Sequence, residues 1–260
     1  MIGNLLNRVD TFRSVRLCNH SPQRKALAQL PPGLYEYWSR TAGQEFKGIP
    51  VTQLFFSRAA EGLMDFFDCA RNGKLPCALP SSAADSVWHA WRRFSPDGLN
   101  HFCHMHFGRT IPHRDGDALG VTPDAGLANC LVLAQRAHSL SAPGIELPPL
   151  FTLDARLCMP GGYGYRADRD RIGFQRLDGA GKPHGTMFYV AALMPLALLE
   201  AGLVTQDEFL EYERRRNDDG GGDAGSASSS SDRDRDSDSD SDGGSDSGSS
   251  CGSGCGGGGD

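Results

Sequence analysis

The feature that most constrains this chain is an abrupt loss of apolar residues after Arg216. From residue 217 to residue 260 the only apolar residues are two alanines and two cysteines, and Ser, Asp and Gly make up most of the rest. Ordering a backbone costs roughly 1 to 2 kcal/mol per residue, and a segment with so little apolar surface cannot offset that cost. The sequence therefore predicts a folded body at 1–216 and a disordered tail at 217–260.

Charge divides at the same point. The body carries 24 Lys and Arg against 21 Asp and Glu, whereas the tail carries 2 against 11. Because the body has no run of basic residues interleaved with aromatic ones, we expect no nucleic-acid partner. Asn, Arg and Asp interrupt the first seventeen residues, where a secretory signal would need an apolar core, so the expected location is cytoplasmic.

Two further patterns restrict the class of protein. The longest apolar stretch, 187–204, is interrupted by Pro195 and Glu200, which favours a buried helix over a membrane span. The six cysteines of the body are widely spaced without a CxxC pair, so we expect free, buried thiols rather than a disulfide framework. These cysteines are Cys18, Cys69, Cys77, Cys103, Cys130 and Cys158.

Apolar residues recur at helical spacing over most of the body. Helices are predicted from Pro50 to about 72, from Ser81 or Ser82 onward, and over about 97–107, 122–139, 186–201 and 205–215. Between 142 and 185, frequent Pro and Gly predict loops, with a structural turn at 161–166 and one small hairpin. The expected fold class is mainly α: a multi-helix globular body with a loop-rich or hairpin insertion and a disordered tail.

This pattern predicts three regions. Residues 1–140 form a helical domain that contains the Trp-His/Phe-Cys motif. Residues 141–216 form a loop-rich segment followed by two helices that pack on the first domain. Residues 217–260 form the acidic tail, which ends in CGSGCGGGGD and carries the thiols of Cys251 and Cys255.

Five of the eight histidines lie between residues 89 and 113, together with Cys103. Imidazole and thiolate groups are the usual ligands of zinc in proteins. The metal hypothesis joins His89, Cys103 and His113 from three segments, with Asp85 as a fourth ligand. No more of these side chains could converge, because His101 and His104 share one face of a helix and His106 lies on another.

Two other interpretations use the same residues. In the structural one, His89 and Cys103 pack between helices, while His101, His104 and His106 face solvent. In the catalytic one, an imidazolium stabilises the Cys103 thiolate as a nucleophile. No oxyanion donor is evident around Cys103 in the sequence, which disfavours the catalytic interpretation.

The string LPSSAADSVWHA, followed by HFCHMHFGRTIPH, resembles the glycine-rich domain-containing protein-like family. The matching positions are Leu79, Pro80, Ser81, Asp85, Trp88, His89, Phe102, Cys103, Gly108 and His113. The resemblance covers about residues 50–114. It implies an intracellular helical domain like that of bacterial members, with no reaction or cofactor to transfer.

The tail supplies the leading hypothesis about function. Its two thiols lie in a glycine-rich end like those of several bacterial proteins, where they could bind metal, pair as a disulfide or be modified. We therefore expect a non-enzymatic interaction module whose charged tail contacts a protein partner. A zinc protein and a cysteine-dependent enzyme are the alternatives.

Overall fold

The structure, a computed structural model, describes residues 2–113 and 120–219, with side chains for 9–113 and 120–218. These residues form a mainly α fold with one small sheet, which confirms the predicted fold class. The predicted tail and its thiols, Cys251 and Cys255, lie outside the described residues. Only 217–219 are described there, and they extend the last helix rather than begin a tail.

The described part of the chain contains ten α-helices and three strands. In order they are α1 (Ile2–His20), α2 (Arg24–Leu27), α3 (Leu34–Glu45), α4 (Gln53–Asn72), α5 (Ser82–Phe94), α6 (Pro96–Phe107), α7 (Pro123–Ala137), α8 (Pro149–Arg156), β1 (Tyr163–Asp168), β2 (Arg171–Leu177), β3 (Pro183–Tyr189), α9 (Pro195–Glu200) and α10 (Gln206–Asp219). A 3-10 turn at Ala191–Leu193 precedes α9.

Helix α4 lies at the centre of the fold and packs against α1, α5, α7 and α8. Its aromatic stripe meets α5, where Phe66 and Phe67 contact the Trp88 ring at centroid distances of 5.4 and 5.1 Å. Each fully buried side chain of this size contributes about 1.5 to 3 kcal/mol to folding. Because α5 belongs to this core, the side chains on its outer face have a rigid support.

Five of the predicted helices are confirmed as α4, α5, α6, α7 and α10, and their caps follow from the sequence. The Thr52 hydroxyl accepts a hydrogen bond from the Phe55 amide at 3.2 Å at the start of α4. At α10, Thr205 and Glu208 form a capping box, with reciprocal bonds of 3.2 and 2.7 Å.

Part of the prediction for residues 142–201 is wrong. The apolar run LPPLFTL begins α8, and most of the turn predicted at 161–166 belongs to β1. A third strand, β3, occupies the start of the helix predicted at 186–201 and forms an antiparallel sheet in the order β1-β2-β3. Phe174 of β2 pairs with Phe188 of β3, which suits the strand preference of aromatic residues. The helix begins only at Pro195, because proline is tolerated in the first turn of a helix but not in its interior.

The apolar stretch 187–204 is thus divided between β3, the 3-10 turn and α9. Among the described helices, none combines the length and the apolar character that crossing a bilayer would require.

A buried carboxylate joins α8, β1 and the start of α5. Asp154, only 1% exposed, accepts hydrogen bonds from the Ser81 hydroxyl at 2.7 Å and from the Ser82 and Ala83 amides at 2.9 Å each. It accepts a fourth from the Tyr163 amide at 3.0 Å. These bonds fix the first turn of α5.

Candidate metal centre

Helix α5 presents two ligand-type side chains on one face. Asp85 and His89 are four residues apart, a spacing that places side chains one above the other on a helix. Ser81 caps this helix by accepting a hydrogen bond from the Ala84 amide at 3.2 Å. The cap and the Asp154 contacts therefore set the position of Asp85, one turn into the helix.

A third side chain approaches from a different segment. Helix α6 ends at Gly108, whose φ of 74° lies in the left-handed region that glycine adopts without strain. The chain then continues without regular secondary structure to His113, whose ring contacts Trp88 and His89 of α5. The predicted end of this helix near residue 107 is confirmed, and the stop at Gly108 allows His113 to reach the face of α5.

The three side chains converge on one point. His113 Nε2 lies 2.9 Å from His89 Nε2 and 3.1 Å from Asp85 Oδ1. The third edge of the triangle, from His89 Nε2 to Asp85 Oδ1, is 3.5 Å. Zinc bonds of about 2.0 to 2.1 Å in a tetrahedral site separate neighbouring ligand atoms by about 3.3 Å. The triangle therefore has the size of one face of such a site.

The outer nitrogen of His89 is held by a carboxylate. His89 Nδ1 lies 2.6 Å from Glu45 Oε1, and Arg93 donates to the other oxygen of Glu45 at 2.8 Å. Burial raises the pKa of Glu45, but the hydrogen bonds from Arg93 and His89 outweigh it and hold that pKa below its usual range. An ionised Glu45 accepts the Nδ1 proton, which leaves the lone pair of a neutral His89 on Nε2.

The ring of His113 is positioned by an aromatic contact. It meets the Trp88 indole edge-to-face, with ring centroids 4.5 Å apart. Trp88 is only 4% exposed, so the indole is a fixed surface rather than a mobile one. The adjacent motif residues Trp88 and His89 thus both contact His113. Trp88 packs against its ring, and His89 Nε2 lies opposite its Nε2.

The three ligand-type side chains line a cleft of about 480 Å³, within the usual size range of small-molecule sites. Its lining contains both apolar side chains and polar or charged ones. The described lining includes Phe66, Leu79, Trp88, Ile111 and Pro112 together with Lys74, Ser82, Asp85, His89, Arg109 and His113.

The structure does not bring Cys103 into this group. The described cluster of ligand-type atoms consists of Asp85, His89 and His113 alone. Cys103 is 1% exposed in the core, where burial raises the pKa of its thiol to about 11 even though the Ile111 amide donates a hydrogen bond to it. Three of the four residues named from the sequence therefore meet, namely Asp85, His89 and His113, and Cys103 does not join them.

Phe102 of the motif and three nearby histidines lie outside this cluster. Phe102 is buried and contacts the Trp91 ring at 4.7 Å. His101 and His104 are exposed, whereas His106 is half-buried and lies 3.1 Å from the Gln29 side-chain oxygen. None of these three histidines belongs to the described cluster.

Sequence reasoning missed Glu45 and Asp154. Glu45 lies 44 positions before His89 at the end of α3, so no local spacing connects the two. Asp154 lies in the LPPLFTLDAR segment, which reads as loop. The Leu-Pro-Ser motif was a signal for a capped helix, but it does not show which residue lies opposite the cap.

Comparison with known proteins identifies a family for this chain. No curated protein and no solved structure matches the chain. The model of the UCP032817-like family matches residues 51–185, more than half of the 260 residues. This region contains Asp85, His89, His113 and Asp154, whereas Glu45 precedes it. The chain belongs to the UCP032817-like family.

Proposed function

We propose that this protein binds a divalent transition-metal ion, zinc in the first instance, through Asp85, His89 and His113. The observation that carries the proposal is the triangle formed by two imidazole nitrogens and one carboxylate oxygen, with edges of 2.9 to 3.5 Å. Cys103 is not a ligand in this proposal.

The donor set suits such an ion. Two histidines and one carboxylate form the protein ligands of several catalytic zinc sites and of non-haem iron sites. Metal-bound histidines usually donate their second ring N–H to a carboxylate, which orients the ring and raises its basicity. Glu45 stands in that relation to His89, which supports a ligand role for Nε2.

A proton could hold the same atoms without a metal. If His113 carries its proton on Nε2, that proton can be shared between His89 Nε2 and Asp85 Oδ1. The cluster would then be a hydrogen-bonded network that stabilises the contact between α5 and the segment after α6. The two interpretations make opposite predictions about metal content.

Metal analysis of the purified full chain tests the proposal. We expect about one zinc per chain after removal of metal by a chelator and reloading. Both His89→Ala and Asp85→Asn should lower zinc affinity by at least about 100-fold, because each removes one of three ligands. His104→Ala is the matched control, since His104 is exposed and outside the cluster, and it should bind zinc like the unmodified chain.

Folding is checked separately by far-UV circular dichroism. Asp85→Asn keeps the shape of the side chain, so it separates ligand loss from misfolding. If the folded chain binds no divalent metal above background, or if the three variants bind equally, the proposal is wrong and the proton-bridged network is correct.

The other hypotheses have less support. A thiol with a pKa near 11 is almost entirely protonated at neutral pH, which disfavours Cys103 as a nucleophile. The interaction-module hypothesis stays a prediction, and a pull-down in which deletion of residues 217–260 left every bound protein unchanged would count against it. The relationship to the glycine-rich domain-containing family, the bacterial origin and the cytoplasmic location also stay predictions.

A further inference from the structure

We infer that the metal site is open toward the cleft and that it binds a small organic oxyanion, whose anionic head coordinates the metal while its apolar body lies on the cleft wall. The inference rests on the proposed metal-binding function. It goes beyond that function because it makes the ion part of a ligand site rather than a structural cross-link.

The coordination number supplies the first argument. The described cluster offers three ligand atoms, and zinc sites that act on substrates have three protein ligands with the fourth position left for water or substrate. All three residues also line the cleft. An ion bound to them would therefore be next to the space that a ligand would occupy.

The charges of the lining supply the second argument. Among the described residues that line the cleft, Asp85 is the only carboxylate, whereas Lys74 and Arg109 are cationic. Both are exposed, and neither forms an ion pair with a described carboxylate. A divalent ion would make this surface strongly positive, which favours an anion and disfavours a cation.

The apolar wall restricts the anion further. Phe66, Trp88 and Ile111 are buried core residues that also line the cleft. They line the cleft together with the half-buried Leu79 and the exposed Leu75 and Pro112, so a ligand with an aromatic or aliphatic body should bind better than a bare anion. Burying one aromatic ring on such a wall corresponds to about a tenfold gain in affinity.

Cobalt-loaded full-length protein provides the test, because the visible spectrum of Co²⁺ changes when an exogenous ligand enters its coordination sphere. Benzoate and phenyl phosphate are the probes and separate a carboxylate from a phosphate head group. We expect a saturable spectral change with benzoate and with phenyl phosphate. Benzoate should bind about tenfold tighter than acetate, and benzyl alcohol, which has no anionic group, should leave the spectrum unchanged.

Two variants locate the anion. A double variant, Lys74→Gln with Arg109→Gln, should weaken benzoate binding about tenfold and leave the cobalt content unchanged. Arg92→Gln is the control, because Arg92 is exposed on α5 but does not line the cleft, and it should bind benzoate like the unmodified chain.

The outcomes separate the two proposals. If cobalt binds but no anion alters its spectrum, the fourth position is closed by the protein, and this inference is wrong while metal binding stands. An equal loss of benzoate affinity in Arg92→Gln and the double variant would also overturn it. If cobalt does not bind at all, both proposals are wrong.

Discussion

Glu45 is shared between two side chains of α5, because His89 and Arg93 each contact one of its oxygens. These two residues are four positions apart, so one carboxylate at the end of α3 spans a full turn of the neighbouring helix. The pairing fixes the rotation of the His89 ring and the direction of its Nε2 lone pair. In the proposed metal site, Glu45 would therefore orient His89 from outside the cleft.

Replacing Glu45 with Ala should lower zinc affinity about 10- to 100-fold, the usual cost of losing a carboxylate that orients a metal-bound histidine. Competition with a chromophoric chelator measures the change. Glu36→Ala is the matched control, because Glu36 is exposed on the same helix. Equal affinities for the two variants would show that Glu45 does not orient the ligand.

At the scale of residues, the sequence predicts part of the site. Asp85 and His89 have a spacing that any helix brings together, and His113 is the next histidine past the stop at Gly108. Cys103 was misplaced because its position on α6 depends on which face of that helix enters the core. Glu45 could not be found, since its distance in sequence from His89 contains no information about their contact.

Among the elements, α8 has the most consequence for the site. The sequence predicts a loop here because Pro148 and Pro149 suggest irregular backbone. A proline, however, suits the first turn of a helix. Its Asp154 reaches the first turn of α5 and the start of β1. Gly162 permits this approach, because a Cβ atom there would lie 2.6 Å from Asp154 Oδ2.

Replacing Asp154 with Asn should lower the free energy of unfolding by about 2 to 4 kcal/mol. An Asn side chain keeps one acceptor oxygen, but its NH2 group would face two of the four donors that the carboxylate now satisfies, and hydrogen bonds to a charged acceptor are worth about 1.5 to 3 kcal/mol each. Urea unfolding measures the change. Asp170→Asn, whose side chain is about half exposed, should change stability by less than about 0.5 kcal/mol, and equal losses in the two variants would contradict the role of Asp154.

The elements that the sequence predicted correctly are those whose stability is local. Helices α4 to α7 and α10 have both an apolar periodicity and a recognisable cap or stop signal. Strand β3 has neither, because its conformation depends on pairing with β2, and a strand of mixed aromatic and polar residues has no periodicity of its own. The third strand therefore needed the tertiary structure, whereas the hairpin of β1 and β2 and these five helices did not.

At the scale of the whole molecule, the buried acid Asp65 should contribute to the change of stability with pH. Asp65 of α4 accepts a hydrogen bond from Gln23 at 3.0 Å and lies 3.9 Å from His138 at the end of α7. Burial raises the pKa of Asp65 to about 7, with smaller contributions from nearby Glu61 and Asp68. The carboxyl is therefore held protonated in the fold at pH values where it ionises in the unfolded chain.

The sign of the effect follows from this difference. A pKa raised by folding stabilises the native state fully below the unfolded value, near pH 4, and that stabilisation is lost as the pH rises to about 7. Asp65→Asn cannot ionise, so it should be more stable than the unmodified chain at pH 8, by on the order of 2 kcal/mol, and should lose less stability between pH 5 and pH 8. Denaturant unfolding at the two pH values measures this, and parallel pH profiles would contradict it.

The hydrogen bonds that Asp154 accepts from the start of α5 and from Tyr163 have a consequence for mutational screens. A selection for chains that no longer retain metal should recover substitutions at Asp154 as readily as at a direct ligand, although this carboxylate never touches the ion. The Asp154 variants would lose metal because the first turn of α5 becomes less rigid. A second substitution that stabilises helix packing elsewhere in the body should restore metal retention to the Asp154 variants but not to variants of His89.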